Sequence, residues 1–227
     1  MPVFRSGHSI GQSLAAVHKV PFYETTHQRG HLAAARIGCS KLPDEHLALH
    51  LSGGTTDLLH VDGDALKTLG KSLDLHAGQL VDRVGVRMGL SFPAGPALEQ
   101  LARYGKTAGR YSAVLKGADC HLSGAETQAM RDLDDGEINR EDIAAEVYDL
   151  LTRMTLKMLM AVSKATGLQD MLIFGGIASS QLFRELLRER AARRSNTLRI
   201  WFGMPELSGD NAAGVAILGA KQYLGQQ

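Results

Sequence analysis

The stretch YETTHQRGHLAAA carries two histidines, His27 and His31, four residues apart, with Gly30 beside the second. In a helix, positions i and i+4 share one face with Cβ atoms roughly 5 to 6 Å apart, so both imidazoles can address one ion. The metalloprotease helix HExxH has the same spacing and sets a glutamate after its first histidine as general base on metal-bound water. Here that position is Gln28, an amide that cannot take up a proton, so peptidase chemistry fails at its base. Paired histidines on a short Ala-rich helix are also ordinary polar residues, and a metal reading needs a third ligand. Asp210, which with Asn211 opens the last helical run after Pro205 and Gly209, could complete a His/His/Asp set suited to zinc or ferrous iron. It also reads as an N-cap aspartate.

Two glycine pairs form a second kind of candidate. LHLSGGTTDLL puts Gly53 and Gly54 among Ser52, Thr55 and Thr56 at the tip of a strand-turn-strand. Glycines there let backbone N–H groups approach an anion, and the hydroxyls add donors; an ordinary hairpin turn fits as well. Gly175 and Gly176 follow the apolar run MLIF and precede a helix, at the carboxyl end of a buried strand where open α/β sheets bind ligands. Together the two pairs describe two walls of one nucleotide cleft.

The elements that must position these residues follow from periodicity. Leu47, Leu49 and Leu51 alternate onto one face, and turns at Gly53-Gly54 and Asp62-Gly63 predict a three-stranded antiparallel meander. A helical period runs through Leu80, Val84 and Met88 and ends near Gly89. Asn139 caps a long amphipathic helix through Ile143, Val147, Leu150, Leu151, Met154, Met158 and Val162, and Gly167 closes it. MLIF and LRIWF read as strands, with helices after each. Before Leu47 the pattern reads helix (about 9–18), strand (VPFYET) and helix (about 27–36). Strands alternating with helices require parallel crossovers and a sheet covered on both faces, the ribonuclease-H-like unit that actin-like ATPases use in duplicate.

Composition bounds the class. At 227 residues, with 25 Lys and Arg against 24 Asp and Glu, the net charge is +1, so no global field draws the chain to nucleic acid or an anionic membrane. Cys39 and Cys120 form no CxxC pair and define no disulfide framework. With no apolar run long enough to span a bilayer and no signal sequence, the chain is expected to be cytoplasmic, with no membrane partner. Six arginines cluster in FRELLRERAARRSNTLR (Arg184, Arg188, Arg190, Arg193, Arg194 and Arg199). They read first as a solvated helix face and second as a nucleic-acid-contacting patch.

THQRGHLAAA, LSGGTTDLL, LDLHAGQLVDRVGVRMGLSFPAGP, MLIFGGIASSQLFRELL and PELSGDNAAGVA occur in this order. The chain thereby resembles the tRNA threonylcarbamoyladenosine synthase family, formerly called glycoprotease or O-sialoglycoprotein endopeptidase. The resemblance implies an actin-like α/β fold, one divalent metal (iron or zinc), and ATP or a threonylcarbamoyl-adenylate as ligand. It implies transfer of the threonylcarbamoyl group to an adenosine of tRNA, with tRNA and the other subunits of that pathway as partners and a homodimer left open. Its metal ligands fall on His27, His31 and Asp210. Its adenylate-contacting positions fall on Ser52, Gly53, Gly54, Thr55, Thr56, Asp82, Gly95, Gly175, Gly176 and, where the family usually has Asn, Ser180.

The departures are specific. Arg29 stands where the family motif next to the metal has Glu, Thr55 where its glycine loop has His, and Glu126 where it has Lys. The family also opens with a strand and a Gly/Thr/Ser-rich phosphate loop, and nothing before His27 resembles it. The expected organisation is therefore residues 1–40 as the tail of a first actin-like lobe and 41–227 as a second, complete lobe with an inserted helical segment at about 90–168. A fragment and a shortened relative are both consistent with that. The alternative function is a non-catalytic relative that binds nucleotide or a partner subunit, and after it the metallopeptidase of the old family name.

Because Gln28 cannot act as base, and no other carboxylate has the spacing a metalloprotease needs, the purified chain is expected to leave glycoprotein substrates intact with or without added metal. Metal-dependent cleavage that His31→Ala abolishes would contradict this.

Overall fold

The computed structural model describes residues 2–194, 197–209 and 212–225. The chain divides into two compact units, Ala35–Gly209 and the pair of segments Met1–Ala34 and Asp210–Gln227.

The smaller unit holds α1 (Pro2–His18), most of α2 (His27–Ala35) and the last helix, α9 (Ala212–Leu224). The helix expected at 9–18 is longer. The strand expected for VPFYET does not form: residues 19–26 carry no ladder, because the chain folds back along α1 and α1 offers side chains rather than a strand edge. The Val20 N–H donates to the Ala15 carbonyl at 3.0 Å, His8 meets Glu24 at 2.7 Å, and the His8 and Phe22 rings lie edge to face. Thr26 caps α2 by accepting the Arg29 N–H at 3.2 Å.

The larger unit is built on a five-stranded mixed sheet. The meander is present as β1 (His46–Leu51), β2 (Thr56–Asp62) and β3 (Ala65–Lys71), joined by antiparallel ladders. After it come α3 (Ala77–Arg87), α4 (Gly95–Ala102), a hairpin of β4 (Val114–Lys116) and β5 (Asp119–His121), α5 (Ser123–Asp135) and α6 (Arg140–Thr166). β6 (Asp170–Phe174), the single turn α7 (Gly176–Ser179), α8 (Gln181–Arg194) and β7 (Arg199–Phe202) follow. The sheet order is β3-β2-β1-β6-β7, with β6 parallel to β1 and β7 parallel to β6. Every residue of β1 is buried, as a central strand covered on both faces must be. Leu47, Leu49 and Leu51 enter the main core, against Leu80, Val84 and residues of α6.

α6 has the expected ends: the Asn139 side chain accepts the Asp142 N–H at 2.7 Å, and Gly167 turns left-handed at φ 79. Its stripe is wider than the expected amphipathic face, with polar residues Glu146, Asp149 and Thr152 also buried. These groups are partnered rather than stranded. Glu146 accepts the Ala108 and Arg110 N–H groups, pinning the irregular segment before β4, and Asp149 pairs with Arg153 at 2.6 Å and with Arg190. Among the described residues no helix is long and apolar enough to cross a membrane.

Asp170 locks β6 to β7. It accepts from Arg199 at 2.8 and 2.5 Å and from the Trp201 indole at 3.0 Å, and the Arg199 bonds, then Trp201, hold its carboxyl below the usual range. Asp170→Ala is expected to cost about 3 kcal/mol, since hydrogen bonds to a charged group contribute roughly 1.5 to 3 kcal/mol, read as a lower urea midpoint. A carboxyl depressed in the native state stabilises fully above its unfolded pKa of about 3.9 and loses that contribution as pH falls through the lower native value. The gap between wild type and variant should therefore close in acid; an equal midpoint at neutral pH would contradict the assignment.

Candidate functional site

Parallel pairing brings the two glycine corners together. The register Leu47↔Met171 to His50↔Phe174 makes β1 and β6 leave the sheet side by side. Gly175 has φ 101, and a Cβ there would lie 2.4 Å from the Leu51 carbonyl oxygen, so only glycine fits. The next residue after Leu51 is Ser52, which closes the first corner: its N–H donates to the Thr55 carbonyl at 2.8 Å and its hydroxyl accepts the Gly54 N–H at 3.3 Å. The corner rests on the first turn of α3, where the Gly78 N–H donates to the Ser52 carbonyl at 3.0 Å and a Cβ on Gly78 would lie 2.5 Å from the Gly53 nitrogen. Gly53 and Gly54 are exposed. Thr56 is not part of the exposed rim: it is fully buried, and its hydroxyl accepts the Ala77 N–H at 2.9 Å, capping α3.

Asp82, Gly95 and Ser180 have local partners as well. Asp82 on α3 accepts the Ala94 N–H at 2.8 Å and docks the start of α4. The buried Tyr148 hydroxyl donates to the Gly95 carbonyl at 3.2 Å; burial pushes its phenol well up, so it stays a donor. The Ser180 hydroxyl accepts the Phe183 N–H at 3.1 Å, starting α8. The buried Tyr148 therefore ties α6 to the start of α4.

A cleft of about 690 Å³ opens between α3 and α5, with Gly53 on its wall. α3 contributes Gln79, Asp82 and Arg83, α5 contributes Glu126 and Met130, and Phe92 stands at the edge. Arg83 pairs with Glu126 at 3.0 Å. Asp74 fixes the α5 wall by accepting from Leu122 N–H at 2.8 Å and the Ser123 hydroxyl at 2.5 Å. Despite partial burial, these hydrogen bonds, led by Ser123, lower its carboxyl to about 2. Of these residues Gly53 and Asp82 stand out in the sequence as site candidates, and Glu126 only as a departure from the family motif. Arg83 and Glu126 are 43 positions apart, and no local period pairs them.

In the smaller unit the His27 and His31 Nε2 atoms are 3.1 Å apart, with rings edge to face at 4.4 Å. Two nitrogens on one zinc at about 2.0 to 2.1 Å and a tetrahedral angle lie roughly 3.3 Å apart, so the pair suits one ion. Among the described residues no group of three His, Cys, Asp or Glu gathers as a metal site; Asp210 lies outside the described residues. α2 meets α9 at two glycines, since a Cβ on Gly214 would lie 1.9 Å from the Gly30 carbonyl oxygen.

The arginine cluster is mostly occupied in structure. Arg184 donates to the Ala178 and Gly203 carbonyls and, with Arg188, lies over the Phe202 ring. Arg190, Arg193 and Arg199 pair with Asp149, Glu189 and Asp170.

Residues 2–217 match the family described as TsaD: tRNA N6-adenosine threonylcarbamoyltransferase. The chain belongs to this family. It is 33% identical over 202 residues to the tRNA N6-adenosine threonylcarbamoyltransferase of Prochlorococcus marinus, covering 81% of this chain and 56% of that protein. It is 28% identical over 224 residues to that of Thermococcus sibiricus, covering 98% and 67%. The chain thus spans between about half and two thirds of the length of these relatives. Among solved structures, full-length HypF in its phosphate- and nucleotide-bound form superposes with a TM-score of 0.67 at 13% identity, over 87% of this chain and 36% of HypF. Component A of the Acidaminococcus fermentans (R)-2-hydroxyglutaryl-CoA dehydratase gives 0.56 at 15% identity, over 89% and 71%. The mixed α/β fold is shared with both.

Within this TsaD-family chain the two glycines after β6 have different jobs. Gly175→Ala forces a side chain into the left-handed region and against Leu51, and is expected to destabilise the protein by at least about 1 to 3 kcal/mol. Gly176 has nothing within 4 Å of its Cβ position, so Gly176→Ala should stay within about 0.5 kcal/mol of wild type. Urea denaturation of both variants distinguishes them, and equal midpoints would contradict the packing described.

Proposed function

We propose that this chain acts in forming threonylcarbamoyladenosine in tRNA, transferring the threonylcarbamoyl group from its adenylate to the exocyclic amine of an adenosine. The observation that carries the reading is the meeting of the Ser52 to Thr55 corner with Gly175 at the carboxyl edge of β1 and β6, in a chain of this family. In the reaction the amine nitrogen bonds to the carbamoyl carbon, the bond from that carbon to the phosphate oxygen breaks, AMP departs, and the amine gives up a proton. Exposed backbone at Gly53 and Gly54 favours an anionic phosphate, and Asp82, Gly95, Gly175, Gly176 and Ser180 shape the remaining adenylate site. Asp82, Ser180 and Thr56 have roles as anchors of helix starts, so orientation of the two substrates dominates over side-chain proton transfer.

We assign His27, His31 and Asp210 to one zinc or iron ion. Supporting this are the 3.1 Å spacing of the two Nε2 atoms and the contact of Gly214 with Gly30, which lies between the histidines; Asp210 is four residues upstream of Gly214, a short span of chain. When bound, such an ion supplies Lewis-acid polarisation of a phosphate or carbamoyl oxygen. The fold reading that goes with this function is actin-like, with 41–227 as the second lobe and 1–40 as the tail of a first. tRNA and the pathway's other subunits are its partners.

Single-turnover transfer from threonylcarbamoyl-adenylate to tRNA, with the pathway's other subunits present, tests the function. Product formation supports it, whereas nucleotide binding without turnover favours the non-catalytic relative. Zinc titration against a chromophoric chelator tests the metal: His31→Ala should weaken binding at least tenfold, and unchanged affinity would remove His31 from the site.

A further inference from the structure

The cleft between α3 and α5 differs in chemistry from the glycine corner beside it. Its cations are already neutralised, Arg83 by Glu126 at 3.0 Å and Arg87 by Asp134, so it does not suit a polyphosphate, which needs unpaired positive charge. Its rim carries apolar surface instead. Phe92 is 75% exposed and Val86 49% exposed, and Met130 lines the same space. An exposed aromatic ring at the mouth of a mostly apolar cleft with a few polar groups is a stacking platform for an unstacked base.

The polar groups along the floor narrow the ligand further. Gln79 uses its carbonyl oxygen to accept the His76 N–H at 3.1 Å, which turns its amide nitrogen into the group presented as donor. Glu126 uses one oxygen for Arg83, leaving its second oxygen as acceptor. A donor and an acceptor lining one cleft can complement the edge of adenine, which offers a ring nitrogen and an exocyclic amine. Uracil lacks the amine; cytosine has it but offers a smaller stacking face. Gly53 lines this cleft and belongs to the phosphate corner, so a base held here lies next to the proposed adenylate site.

We infer that the α3–α5 cleft receives the acceptor adenine of the RNA, unstacked onto Phe92, with Gln79 and Glu126 holding its amine-bearing edge. This rests on the transfer reading for the donor, and assigns a use to Glu126, the charge that departs from the family motif.

The test is binding, with transfer measured separately. A short RNA stem-loop with 2-aminopurine, which lacks the 6-amine, replacing the loop adenine reports stacking alone by fluorescence quenching, and unmodified adenine and uracil loops compete against it to report recognition of the amine. Wild type is expected to quench the probe and to prefer adenine to uracil. Phe92→Ala, at an exposed position, should weaken binding about tenfold, since losing one base-aromatic stack costs affinity on that order, and should remove the quenching. Glu126→Gln should shrink the preference for adenine. Equal affinity of wild type and Phe92→Ala, no measurable RNA binding, or displacement of the RNA by ATP in direct competition would each overturn the inference. Phe92-dependent adenine binding without transfer upholds the inference and refutes the transfer reading. Transfer that survives Phe92→Ala with unchanged RNA affinity does the reverse.

Discussion

The site depends on the absence of one side chain. β1 and β6 are parallel neighbours at the centre of the sheet, and at their carboxyl ends the Gly175 Cα comes so close to the Leu51 carbonyl that a Cβ would sit 2.4 Å from it. That approach lets two loops leave the sheet in contact. Any larger residue would push β6 away from β1 or rotate Gly175 out of its left-handed conformation, and the two corners would part. The carboxyl edge of an open α/β sheet is a binding edge for this geometrical reason. In this chain the meander supplies one loop of the pair and the crossover strand the other.

Behind that edge the interior is held by polar contacts as much as by apolar packing. α6 packs into the core of the larger unit, and its buried Tyr148 reaches the Gly95 carbonyl. Its Glu146 and Asp149 hold the 108–110 segment and α8. Buried polar groups of this kind are costly when unpaired and specify one arrangement when paired. Thr56, Asp82 and Ser180, all positions attributed to ligand contact by family resemblance, here accept N–H groups at the starts of α3, α4 and α8. The same side chains that sit beside the proposed ligand therefore also fix the helices that surround it.

Much of the fold was legible in the sequence because its signals are local. The meander showed itself by period-two alternation and Gly turns, and α6 by its Asn139 and Gly167 caps. Other features were not legible because their causes are distant. VPFYET has strand composition, but without a neighbouring edge it folds back on α1 instead. The β4-β5 hairpin is three residues a side, too short to establish a period. At the site, glycine pairs were visible as motifs, whereas the capping use of Thr56 and Ser180, and the Arg83–Glu126 pair across the cleft, arise only from tertiary placement. The two histidines were legible as a face of one helix, and the structure sets their nitrogens 3.1 Å apart.

The central claim is that nucleotide binds where the β1 and β6 corners meet. Amide chemical-shift mapping of the isotope-labelled chain during titration with ATP tests it most directly. The account predicts that the resonances of Ser52, Gly53, Gly54 and Thr55 shift together with those of Gly175 and Gly176 along one saturation curve. Saturable shifts confined to other parts of the chain, with both glycine corners unmoved, would contradict it.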